Sequence, residues 1–176
     1  MQGACSLLLY ENILLDIIKH MFYNMKTEHI KMKEDDMMSH LEKFWDSVKK
    51  EEVGLLATSA NGSVTMRTVS PVYHEDAILL FTSPTSQKYA QLKENANCCI
   101  SVGGCFLEAK AEFLGHTMTD ENAALRAVYD AKQPGAFDES MAFGGRESEF
   151  ILLKPVQLKG WDFAKASHPA PFEHKF

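Results

Sequence analysis

Cations are in short supply in this sequence. Its 176 residues carry 18 Lys and Arg against 24 Asp and Glu, a formal net charge of -6. A general nucleic-acid binder neutralises backbone phosphates with clustered Lys and Arg, so that class is excluded and any anion site must be local. Cysteine is scarce too. Cys5, Cys98, Cys99 and Cys105 show no paired metal-ligand spacing and no export signal accompanies them, which implies reduced thiols and a cytoplasmic location. Cys98 and Cys99 adjoin in an apolar run, and on a strand they would face opposite ways as small buried residues. No long uninterrupted hydrophobic run is present. Glu11 and Asp16 break the apolar stretch near the N-terminus, no basic residue precedes it, and no small-residue cleavage site follows. Neither a signal peptide nor a membrane span fits. A Ser/His/Asp set, paired carboxylates, a Walker loop and internal repeats are also missing. An enzyme with this sequence would take its reactive atom from a cofactor.

What is present is an ordinary globular composition, 45% apolar and 24% charged, at a length that suits one domain. Residues 1–31 read as an amphipathic helical extension, residues 32–165 as the domain and residues 166–176 as a Pro-rich surface tail. In that tail His168 and His174 with Glu173 are better explained as solvated than as metal ligands, so no metal site is expected. Asp35 or Asp36 can cap a helix whose apolar positions Met37, Met38, Leu41, Phe44, Trp45 and Val48 recur at helical spacing.

Strand signals follow. Val53 to Thr58 and Val64 to Tyr73 flank Asn61-Gly62, a hairpin tip, and His74-Glu75-Asp76 turns the chain into a strand from Ala77 to Phe81. Ser83 or Thr85 caps a short helix with Tyr89 and Leu92 inward. Strands Asn97 to Val102 and Phe106 to Gly115 are joined by Gly103-Gly104, and Thr119-Asp120-Glu121 opens a helix with Ala124, Leu125, Val128 and Tyr129 on its inner face. A closing hairpin, Glu149 to Leu153 and Val156 to Phe163, turns at Pro155. Six or seven antiparallel strands with inserted helices and no βαβ alternation define an α+β, mainly β, domain whose sheet closes into a barrel.

The scarce cations concentrate in one place. Arg67 lies on a strand, on the face opposite Met66 and Thr68, with a donor fork that suits phosphate oxygens. Alone, it would read as a solvated strand arginine. Thr82-Ser83 ends another strand and Ser86-Gln87-Lys88 opens the next helix, where free N–H groups and the helix dipole favour an anion. The hydroxyls of Thr82, Ser83, Thr85 and Ser86 also suit caps and turns. Spacing alone supports a generic phosphate site and does not name the ligand.

Arg67-Thr68-Val69, then Phe81-Thr82-Ser83, then the run from Ser86 to Asn95, resembles the FMN-binding split-barrel family, of which pyridoxamine 5'-phosphate oxidase is the best-known member. The likeness runs from about Leu41 to Phe163 and takes in Ala57-Thr58, Lys110-Ala111-Glu112 and Trp161-Asp162. It is nearest to the general-stress-protein and nitroimidazole-resistance branches. The resemblance implies an antiparallel split β-barrel and FMN, with Arg67 and Lys88 on its phosphate and Ser83 and Ser86 bonding the phosphate or ribityl chain. Val69 and Ser70 would lie along the isoalloxazine, Thr82 beneath it, and Trp161 would cover it from a partner subunit. It implies a homodimer with flavin at the interface and a small-molecule substrate. The activity implied is an FMN-dependent oxidoreductase, with no side chain assigned a catalytic role. The alternative is a non-catalytic protein that holds flavin, haem or another planar ligand. Val72, Gln87 and Gly104 stand where the family prototype has a second cation, an arginine and a flavin-contacting glutamine. No Arg-rich segment follows Lys159, so oxidation of pyridoxamine phosphate itself is not expected.

Overall fold

Turns that demand positive φ set the register of the sheet. Asn61 and Gly62, at φ 49° and 75°, form the two-residue loop between β1 (Gly54–Ala60) and β2 (Ser63–Val69). That loop places Thr58 opposite Thr65 and Leu56 opposite Arg67. Glu75 and Asp76, also at positive φ, join β3 (Val72–His74) to β4 (Ala77–Thr82). Gly103 and Gly104 join β5 (Asn97–Val102) to β6 (Cys105–His116). Gly104, at φ 77°, shows why a glutamine would be strained there.

The structure is a computed structural model that describes residues 40–138, 145–162 and 169–176. The expectations for residues 1–31, for the cap at Asp35 or Asp36 and for His168 lie outside these residues. Leu41–Phe176 is one compact unit, and all that follows concerns it. Residues 40–50 are helical (α1), with Phe44, Trp45 and Val48 buried as their spacing required. Helix α2 spans Gln87–Glu94 and α3 spans Ala123–Lys132.

Among the described residues eight strands form one antiparallel sheet in the order β2-β1-β5-β6-β7-β4-β3, with β8 (Ala170–Lys175) added to β7 (Glu149–Asp162). This is the expected α+β split barrel, with one strand more than the six or seven read from sequence. Several segments differ from expectation. Val64 to Tyr73 is not one strand but breaks at Ser70-Pro71 into β2 and β3, which lie at opposite ends of the sheet. Helix α3 begins at Ala123 after Asn122 and not at Thr119-Asp120-Glu121. Glu149 to Asp162 is one continuous strand of 14 residues and not a hairpin at Pro155. The pairing of β6 with β7 slips at that point, Glu108 facing Gln157 and Ala109 facing Pro155, and a proline is tolerated at such a bulge. On either side of it β7 changes partner, from β4 at residues 149–153 to β8 at residues 157–162. The C-terminal segment is exposed, as expected of a tail, but it is an edge strand. Pro171 faces Trp161 there, where no further strand needs its missing N–H.

Two apolar clusters fill the interior. The larger lies between the sheet and the helices α1 and α2 and includes Phe44, Leu56, Leu92, Ile100 and Leu158. The smaller gathers Val72, Leu79, Tyr129 and Phe150 under α3. Val72 is 2% exposed there, so the position of the prototype's second cation serves the core in this chain. Among the described residues no helix is long and apolar enough to cross a membrane.

Candidate functional site

Arg67 sits on edge strand β2, on the face that pairs across to buried Leu56, Ile100 and Leu107. A core-facing position on an edge strand is only half buried, which leaves a guanidinium partly stripped of water with nowhere apolar to end. Polar side chains receive it. Arg67 Nη1 donates to the Thr58 hydroxyl at 2.6 Å and to the Leu56 carbonyl at 3.3 Å. Nη2 donates to the Thr65 hydroxyl and, at 3.2 Å, to Gln91 Oε1. Both threonine hydroxyls donate onward to the same Gln91 oxygen, at 2.6 and 2.7 Å. The four terminal N–H groups of Arg67 are thus satisfied by neutral acceptors.

Gln91 comes from α2, whose first turn carries Lys88. Ser86 caps this helix, in place of the expected Ser83 or Thr85, and its hydroxyl accepts from the Tyr89 amide at 3.3 Å. Thr82, 5% exposed, shares a 2.9 Å hydrogen bond with Ser86, while Ser83 and Thr85 share one of 2.8 Å. Burial lowers the Lys88 ammonium from its ordinary value, and the charge of Arg67 lowers it further. Burial lowers Arg67 as well. Two cations that repel each other and lose water are unfavourable unless an anion joins them. Among the described residues neither has a carboxylate partner. The corner therefore suits a phosphate, which would meet Lys88 directly and the desolvated charge of Arg67; a bidentate contact from Arg67 requires exchange of its threonine bonds.

The remaining expected residues divide. Val69 packs on the larger core cluster, and the Ser70 carbonyl accepts from the Tyr129 hydroxyl at 2.8 Å, so this stretch of chain beyond Arg67 is held from behind by α3. Trp161 is not brought to Arg67 and Lys88 within the chain. It stands 53% exposed beside a separate cavity of about 330 Å³, with Phe106, Gly160 and Phe172 among its neighbours. Gln87 is exposed and takes no part. Sequence reasoning assigned no site role to Thr58, Thr65 or Gln91. A signal existed for the first two, because the loop at Asn61-Gly62 fixes them as a cross-strand pair beside Arg67. Among the described residues no group of three or more His, Cys, Asp or Glu is placed to hold a metal ion.

No protein-family model and no curated protein matches the chain. Solved structures do. One is a FAD-binding protein from Mesorhizobium loti, with a TM-score of 0.53 at 15% identity over 66% of this chain and 89% of that one. Another is General Stress Protein 26 from Bacillus anthracis, with a TM-score of 0.55 at 12% identity over 77% of this chain and 98% of that one. A third is a haem-binding protein from Mycobacterium smegmatis, with a TM-score of 0.56 at 16% identity over 77% of this chain and 56% of that one. The class these similarities define is one of fold. This chain has the split barrel that its sequence resemblance implied, the fold of flavin-binding, nitroimidazole-resistance and general-stress proteins.

Proposed function

We propose that this chain is a cytoplasmic FMN-binding flavoprotein, active as a homodimer. The carrying observation is the corner at Arg67 and Lys88, two half-buried cations with no carboxylate partner among the described residues, Arg67 being held by neutral acceptors alone. A phosphate monoester supplies the missing negative charge, and the N-terminal turn of α2 with Ser83 and Ser86 supplies further donors. Val69 and Ser70 would lie along the ring system, with Thr82 below it. FMN, when bound, supplies transfer of hydride or electrons between a reduced donor and a small organic acceptor. The protein's own part is to bind and orient it.

One face of the sheet supports the homodimer. Leu55 pairs across to Ser101, Ser101 to Phe106 and Phe106 to Lys159, so Leu55, Met66, Phe106 and Trp161 share a face, and all four are exposed. Exposed apolar surface of this kind marks association, and a partner's Trp161 could then reach the flavin. The haem-binding neighbour makes haem the second reading. Purified protein distinguishes the two. A yellow protein, or one that takes up added FMN and elutes as a dimer, is the expected result. Uptake of haemin with no uptake of FMN supports the second reading and overturns the first. Anaerobic reduction of the loaded protein by NADH or NADPH, followed by nitroaromatic or quinone acceptors, then separates an enzyme from a carrier.

A further inference from the structure

A half-buried arginine is most simply fixed by a carboxylate, whose two oxygens match its fork. In this chain an amide stands there instead. Gln91 is 6% exposed, and its Oε1 accepts from Thr58, Thr65 and Arg67. The orientation of the amide follows from Arg67, because a guanidinium only donates and so must face the oxygen. Each threonine hydroxyl accepts from Arg67 and gives its one proton to Gln91, which closes the network without any net negative charge. A carboxylate of the same shape would hold Arg67 equally well and cancel its charge.

We propose that Gln91 is a positioning residue that fixes Arg67 without neutralising it, so that two positive charges remain available to a phosphate monoester at this corner. The inference rests on the FMN reading of the site. It explains why a glutamine is buried among donors on a helix that already carries Lys88, and it assigns selectivity for the phosphorylated ligand to a residue that need not touch the ligand.

The test compares FMN with riboflavin, which lacks the phosphate, by flavin fluorescence titration of the full chain. Gln91→Glu retains the acceptor oxygens and stays ionised beside Arg67. It is expected to weaken FMN about tenfold to a hundredfold, the scale of a lost charged hydrogen bond, with riboflavin affinity and urea stability unchanged. Gln91→Met removes the acceptor but leaves the charge, and is expected to retain more of the preference for FMN than Gln91→Glu does. A merely structural role demands the opposite order, since Glu replaces the lost bonds and Met does not. That opposite order, or a Gln91→Glu variant with wild-type preference, overturns the inference. Should Gln91→Glu fail to fold, Gln91→Met decides: a variant that keeps most of the preference for FMN over riboflavin supports the inference, and one that binds the two equally overturns it. A wild-type chain that binds FMN no better than riboflavin overturns the reading of the site, and this inference with it.

Discussion

Lys88 at the start of α2 and Lys132 at the end of α3 mark two corners of the molecule, and burial lowers both ammonium groups from lysine's ordinary 10.5. Their surroundings differ. Lys132 Nζ donates to three carbonyls, Val48 at 2.6 Å, Glu51 at 2.7 Å and Pro71 at 2.5 Å. It caps the end of α1 and ties it to the connection between β2 and β3, so its charge is spent on structure. Lys88 has Arg67 nearby and no acceptor among the described residues. A desolvated cation with acceptors holds a fold together; one without them waits for a ligand. That contrast separates the proposed phosphate corner from the structural one.

Substitutions can break the contrast or sharpen it. The largest effect is expected at Phe150, 0% exposed and packed on Tyr129 and Phe137 beneath α3. Phe150→Ala should cost about 3 to 5 kcal/mol in urea unfolding, because the aromatic cluster that seats α3 is emptied. Next, Lys88→Met should leave urea stability unchanged or raised and weaken FMN by about 1.5 to 3 kcal/mol in titration, with riboflavin unaffected. Arg67→Ala should weaken FMN on the same scale but lower stability too, since Thr58, Thr65 and Gln91 lose their donor. Lys132→Met should do the reverse of Lys88→Met, costing about 2 kcal/mol of stability while the FMN to riboflavin ratio stays as it was. Tyr129→Phe, which frees the Ser70 carbonyl, should cost about 1 kcal/mol.

The pH dependence carries the same contrast at smaller scale. With the folded Lys88 value lowered, the unfolded chain holds more protons between that value and 10.5, so stability rises with pH across that window. FMN affinity should fall across the same window as Lys88 loses its charge. In Lys88→Met the fall in affinity should vanish, while part of the rise in stability survives because Lys132 is lowered in the same direction.

Local signals made much of the fold legible. Asn61-Gly62 announced the first hairpin, and its two-residue loop is enough to compute that Thr58 faces Thr65 and Leu56 faces Arg67. Alternation of Leu107, Ala109, Ala111 and Phe113 with Glu108, Lys110 and Glu112 marked β6. Pro155 misled because a proline at a bulge looks, in sequence, like a proline in a turn. Pro171 misled because an edge strand tolerates what an inner strand cannot. The site was legible in its charges and not in its restraints. Gln91 lies 33 residues from Thr58, and Lys132 lies 84 from Val48. Only the packing of α2 and α3 brings them together, and no periodicity encodes that. The departures from the prototype also have local reasons, with Val72 needed in the aromatic cluster and Gly104 in a turn at positive φ.

The most direct test is the affinity of the wild-type chain for FMN against riboflavin at neutral pH. With Arg67 and Lys88 both charged and unneutralised, FMN should bind at least about tenfold more tightly, the contribution of a single charged hydrogen bond. Equal affinity for the two, or no uptake of either, would contradict the phosphate corner and the flavin assignment built on it.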